Sequence, residues 1–297
     1  MSPWQKHNLT AIDKRLADVR RARQGVLFER QSPYNDIVVR RTREQLLLCY
    51  RDSRQRVEEI ESRLSLTNPL ALMSEYTQAM LLALAWRPTP RHILLIGLGG
   101  GRLQLVLHHY LEQASLYTVE LDPLVLEVAQ RFFGFATDER QHVIVEDGRA
   151  YLSNAPAEAS YDLIFLDAYR AGGVPLHLST REFYDDCRAV LAPGGAIAAN
   201  LQSGSSLHRA ARKTFASAFR HLAVFPLLAG NVVVVGSDAE HLDQDEIRAH
   251  AAAVQRQYGF DFALSSWAEN LSTLFTPLYT NAPILRDSDL AKKRLSV

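Results

Sequence analysis

The chain has 297 residues, of which 47% are hydrophobic and 22% charged, the make-up of a folded protein and not of a disordered one. Its 33 Lys and Arg balance its 33 Asp and Glu, so the overall charge argues for neither nucleic acid nor a membrane surface as partner. Cys49 and Cys187 lie far apart, match no metal spacing and read as reduced core thiols. No N-terminal apolar segment precedes a cleavage site and no apolar run approaches ~20 residues, so the expected location is the cytoplasm.

Taken in chain order, residues 8–22 carry apolar positions at Leu9, Ile12, Leu16 and Val19, the spacing of an amphipathic helix. Residues 26–30 and 36–40 predict two strands joined by a turn at Ser32-Pro33-Tyr34-Asn35, and 45–50 and 57–66 continue the pattern. A small β-rich domain is therefore expected over residues 1–67, behind its leading helix. Arginines crowd its sequence, and a solvated, salt-bridged face is the expected reason. Asn68-Pro69 is expected to start a helix running to Leu84, and Trp86-Arg87-Pro88-Thr89-Pro90 marks a boundary.

From His92 strands and helices alternate. Strands are expected at 92–97, 115–120, 142–146, 161–167, 195–200, 222–226 and 231–236, with helices at 123–132 and 180–191 among others. Such alternation predicts right-handed βαβ units and a mostly parallel sheet covered on both faces. The last two strands are separated by only Leu227–Gly230, too short for a crossover, so they should be antiparallel. Helices at about 243–257 and 266–273 follow. The predicted division is 1–67, 68–240 and 241–297, the last a helical extension.

The chemistry concentrates at strand ends. A buried strand runs into Gly97-Leu98-Gly99-Gly100-Gly101, then a helix, then a strand ending in Glu120. Such a unit suits a nucleoside: glycines admit close backbone approach, the helix N-terminus offers unpaired N–H groups, and a carboxylate accepts two ribose hydroxyls. Asp122 before Pro123 fits a helix cap, which leaves Glu120 free. Asp147 and Gly148 end the next strand, where the acid would accept from an adenine amine or cap the following helix. Asp167 follows four apolar residues, Leu163-Ile164-Phe165-Leu166, and reads as a general base, a cation-binding carboxylate or a turn cap. After it, Ala168–Pro175 would close over substrate, lined by Tyr169 and Arg170. Tyr76 and Gln78 lie on the helix leading into the core. His108-His109 lack a third ligand, and no other histidines show ligand spacing, so no metal is expected.

Seven strands ending in an antiparallel hairpin match the Rossmann-like sheet of S-adenosylmethionine-dependent transferases. Ile96–Gly101, Val119–Asp122, Glu146–Arg149, Asp162–Asp167, Glu182-Phe183-Tyr184 and Leu191–Gly195 together resemble the spermidine synthase (polyamine aminopropyltransferase) family, and Ser32–Val39 looks like its N-terminal motif. The resemblance implies that Gly97, Gly99, Gly100, Gly101, Glu120, Asp147 and Gly148 hold S-adenosylmethionine or its decarboxylated form. It implies that Asp167 and Tyr76 serve the transfer to a small-molecule amine, with Asn35, Gln78, Tyr169 and Arg170 near the acceptor. Homodimers are expected by the same likeness.

Five positions depart from the family. Gly100 stands where its glycine turn carries Asp, Arg170 replaces a second Asp, Tyr76-Thr77-Gln78 replaces Tyr-His-Glu, and Asn35 replaces Gln. Lost negative charge and an added cation point away from putrescine as acceptor, because a guanidinium beside an ammonium costs on the order of 1–4 kcal/mol at ~4 Å. Without a carboxylate in the turn, the N–H groups of residues 99–101 are expected to be free for an anion, which favours the intact cofactor. Aminopropyl-type transfer is the first expectation, methyl transfer the second, and a non-catalytic nucleoside binder the third.

Overall fold

The computed structural model describes residues 1–52, 57–156, 158–169, 174–202, 207–228, 230–239, 241–272 and 281–290. Four strands, β1 (Gly25–Gln31), β2 (Asp36–Arg41), β3 (Gln45–Asp52) and β4 (Val57–Ser65), form an antiparallel meander in chain order. Two helices precede it, α1 (Pro3–Arg15) and α2 (Ala17–Arg21), where one over 8–22 was expected. The earlier start has a local cause: Ser2 and Gln5 close a capping box and Pro3 takes the first helical position. Within the arginine-rich stretch Glu58 takes both Arg40 and Arg51, and Arg51 also reaches Glu29, while Arg54 and Arg56 lie outside the described residues.

The helix expected from Asn68 begins only at Glu75: α3 covers Glu75–Met80, and a 3₁₀ turn covers Leu81–Ala85. Residues 68–71 form a turn instead, and the carbonyls of Pro69 and Ala71, which a helix would have used, accept from the Arg102 guanidinium.

The second sheet has seven strands: β5 (His92–Ile96), β6 (Ser115–Glu120), β7 (Gln141–Val145), β8 (Tyr161–Leu166), β9 (Leu191–Gln202), β10 (His221–Pro226) and β11 (Asn231–Ser237). Their order is β10-β11-β9-β8-β5-β6-β7. β11 runs antiparallel to both its neighbours, and the other pairings are parallel. β9 starts earlier than predicted because the segment from Leu191 through Gly195 already follows β8. The fold is thus α/β, a seven-stranded mixed sheet with a separate four-stranded antiparallel one.

Helices α4 (Arg102–Tyr110), α5 (Pro123–Phe132), α6 (Gly148–Ser153), α7 (Arg181–Ala189), α8 (His208–Ala218), α9 (Gln244–Tyr258) and α10 (Leu264–Ala268) complete the described chain. α10 stops short of the predicted end at 273, which lies outside the described residues. α9 and α10 pack one side of the large sheet with Leu95, Phe165 and Phe225, and α7 and α8 cover the other with Ile96, Ile164 and Ile197. A third apolar cluster joins Ile12, Leu48 and Leu64 of the N-terminal part to Leu98, Val125 and Phe133. The two sheets are therefore locked together at the glycine turn. Among the described residues no helix is long and apolar enough to cross a membrane.

Candidate active site

β5 is flanked by β6 on one side and β8 on the other, so the strand order reverses at its carboxyl end, the usual position of a ligand crevice in an open α/β sheet. A cleft of about 780 Å³, open to solvent, lies there. Gly97 makes the crossing of β5 and β8 fit. Its φ is +103°, and a Cβ would stand 2.3 Å from the Asp167 carbonyl oxygen, so no other residue lets the backbone of 97 and 167 come this close. Gly97 and Gly99 line the cleft, whereas Gly100 and Gly101 do not. Those two sit behind the turn, where a Cβ would meet Phe133 and Ser62 at position 100 and Phe135 at position 101.

The expectation of free N–H groups across 99–101 does not hold. The Gly100 N–H donates to Ser62 Oγ at 2.9 Å and the Gly101 N–H to the Leu98 carbonyl at 2.9 Å. The side chain missing from the turn has not opened an anion hole; a serine from β4 has closed it.

Glu120 ends β6 and is 9% exposed. Its Oε2 accepts from the Leu98 N–H at 2.9 Å and its Oε1 from the Asp122 N–H at 2.8 Å. Burial pushes its carboxyl up to about 7, against those backbone donors. Both oxygens are held in place by backbone donors. Asp122 next to it caps α5 through the Leu124 N–H and accepts from Ser32 Oγ at 2.5 Å and Asn35 Nδ2 at 3.1 Å. Asn35 thereby reaches the cleft from the N-terminal sheet, with its Oδ1 buried and unpartnered among the described residues.

Asp147 is the helix cap that one of its two sequence readings expected. Its Oδ1 caps α6 through the Arg149 and Ala150 N–H groups, while its Oδ2 lies 2.8 Å from His177 Nε2 on the cleft wall. The His177 contact is the main reason its carboxyl sits below the ordinary range. At Gly148 a Cβ would meet Ile96 Cγ2 at 2.6 Å, so glycine keeps this wall flat.

Asp167 leaves β8 into the cleft. Burial raises its carboxyl to about 6, although hydrogen bonds from Asn200 Nδ2, at 3.2 Å, and from Tyr76 pull the other way. The Tyr169 hydroxyl donates to the Asn200 carbonyl at 2.5 Å, which holds the loop after Asp167 against β9. Arg170 and Gly172-Gly173 lie outside the described residues. Gln78, expected near the acceptor, lines neither this cleft nor the cavity beside it. Its amide is used up between the Leu72 carbonyl and Trp267 Nε1.

The sequence reading missed Glu61, Ser62 and His177. Glu61 projects from β4 into the cleft, where burial, then the nearby Asp167, push its carboxyl up to about 7. Ser62 carried a weak signal, a small polar residue in the buried alternation with Leu64 and Leu66. Among the described residues no three His, Cys, Asp or Glu side chains are grouped to hold a metal.

Three comparisons bear on this site. The spermine/spermidine synthase domain matches residues 74–241. A polyamine aminopropyltransferase of Vibrio vulnificus is 30% identical over 235 residues, 77% of either chain. Human methyltransferase-like protein 13, solved in complex with SAH, superposes with a TM-score of 0.58 at 26% identity, over 63% of this chain and 93% of that one. The domain match takes in β5 to β11 and the acids Glu120, Asp147 and Asp167 of the cleft, and the chain belongs to the spermine/spermidine synthase family and is a transferase.

Proposed function

We propose that the cleft binds an S-adenosylmethionine-derived nucleoside and that the protein transfers an aminopropyl-type group from it to a small-molecule amine other than putrescine. The observation that carries this reading is Glu120: a buried carboxylate with both oxygens fixed by backbone N–H groups, at the switch point of the sheet, spaced for two vicinal hydroxyls. The residues fit such a ligand. Asp147 Oδ2 and the flat wall at Gly148 suit an adenine, and Gly97 leaves the floor open beneath a sulfonium.

The donor supplies a carbon bonded to a positively charged sulfur, whose departure as a neutral thioether needs no acid. The protein's work is therefore to align and deprotonate the amine. Asp167, raised to about 6, is a carboxylate at neutral pH, placed to take the proton that the neutral attacking amine loses as its nitrogen bonds to carbon. Tyr76 donates to Asp167 and so orients it. The amine nitrogen bonds to the carbon, the carbon–sulfur pair goes to sulfur, and the nitrogen's proton goes to Asp167. Methyl transfer with the same residues is the second reading, supported by the likeness to methyltransferase-like protein 13.

Incubation with each donor and a panel of diamines and amino acids, read by mass spectrometry, tests the proposal. Aminopropyl transfer releases 5′-methylthioadenosine and methyl transfer releases S-adenosylhomocysteine. Release of neither, or equal release by Asp167→Asn, refutes the assignment of Asp167.

A further inference from the structure

A second, narrower cleft, about 450 Å³ with its solvent-open mouth included, adjoins the nucleoside cleft and shares Glu61, Tyr76, Gly97 and Asp167 with it. The part of its wall that is not shared carries two cations, Arg63 and Arg102. Arg102 opens α4 and is 5% exposed. Its Nη2 donates to the carbonyls of Pro69 and Ala71, which accounts for one nitrogen of three. Among the described residues Nε and Nη1 are buried with no hydrogen-bond partner. Burial lowers its pKa to about 10, partly offset by the charge of Asp261, so it stays charged at neutral pH.

A buried cation with unmet donors is costly, and the fold keeps such a group where a ligand completes it. Nε–H and Nη1–H leave different edges of the guanidinium, and each offers a carboxylate oxygen a charge-assisted hydrogen bond. We propose that Arg102 binds a carboxylate in this cavity, so that a molecule reacting at Asp167 carries an acid group as well as a cationic one. Glu61 and Asp167 on the shared wall suit the cationic end, and Arg102 with Arg63 suits the anionic end. A plain polyammonium chain would set an ammonium against Arg102. The inference rests on the nucleoside-transferase reading above and narrows its ligand to one of two sources: the α-carboxylate of intact S-adenosylmethionine, or the acid group of an amino-acid acceptor.

Calorimetry on the full-length protein separates these. The probes are 5′-methylthioadenosine, which lacks a carboxylate, S-adenosylhomocysteine, which has one, and 4-aminobutyrate titrated into protein saturated with 5′-methylthioadenosine. If the donor supplies the acid, Arg102→Met weakens S-adenosylhomocysteine at least tenfold and changes 5′-methylthioadenosine less than twofold. If the acceptor supplies it, both nucleosides bind the variant as they bind the parent, and 4-aminobutyrate binds the parent alone. Unchanged S-adenosylhomocysteine affinity together with no Arg102-dependent binding of 4-aminobutyrate overturns the proposal. Arg102→Gln keeps a donor for the Pro69 and Ala71 carbonyls without the charge, and it serves the same comparisons if Arg102→Met loses 5′-methylthioadenosine through misfolding. A parent protein that binds neither nucleoside brings down the transferase reading itself, an outcome distinct from the loss of the carboxylate subsite.

Discussion

Replacing Glu120 by Gln removes a charge at nearly constant volume, and its effects on folding and on binding should run in opposite directions with pH. Burial lifts the Glu120 carboxyl from 4.5 to about 7, so the folded state holds this proton more tightly than the unfolded chain does. The stability linked to it is present in full below pH 4.5 and is lost as pH rises through 7. At ~1.36 kcal/mol per pH unit, the gap sets an upper bound of about 3 kcal/mol. The Gln variant cannot titrate, so its stability relative to the parent should rise by about 1–3 kcal/mol between pH 4.5 and 8 in urea denaturation. Binding follows the opposite course. The ionised carboxylate accepts two ribose hydroxyls, so parent affinity for 5′-methylthioadenosine should climb as pH passes through about 7. Gln loses one charge-assisted bond worth ~1.5–3 kcal/mol, a deficit of about 10- to 150-fold at pH 8. Parallel stability–pH curves, or a Gln variant that binds the nucleoside as tightly as the parent at pH 8, would refute the assignment of Glu120.

Asp167→Asn should cut kcat by about 10²–10⁴-fold while nucleoside affinity stays within about threefold, measured by turnover and calorimetry side by side. Tyr76→Phe removes a hydrogen bond that holds the Asp167 carboxyl down, so the ascending limb of kcat/KM against pH, near 6 in the parent, should move to higher pH. An unmoved limb would separate Tyr76 from Asp167. Gly97→Ala places a methyl 2.3 Å from the Asp167 carbonyl oxygen at a φ of +103°, and should cost at least about 2 kcal/mol in chemical denaturation. A variant of parental stability would show that β5 and β8 do not meet as described.

Most of the large sheet was legible because its signals are local. Buried strands of four or five apolar residues, glycines at the turn and acids at strand ends all lie within short windows around residues 92–122 and 161–167. The antiparallel β10–β11 pair followed from the shortness of one connection. The helix from Asn68 was misjudged because its carbonyls are claimed by Arg102, more than thirty positions onward, a tertiary demand that local pattern does not carry. The free donors expected at Gly100 failed for the same reason, since Ser62 reaches them from another sheet. Glu61 and His177 entered the cleft unannounced, as nothing in β4 or in the turn at 176–178 marks which residues docking will aim inward.

The Ser62–Gly100 bond, and the aromatic ring of Phe133 beneath the same glycine, have a consequence for any attempt to work with half of this chain. The matched family region starts at residue 74, past the meander. A fragment cut at that border would keep the large sheet with its glycine turn unbraced, its amide at position 100 turned to solvent and the apolar floor under Leu98 bare. Grafting a foreign N-terminal sheet would leave that amide unmet unless the incoming strand brought it an acceptor, so the glycine turn and the sheet that braces it are inherited as a single piece.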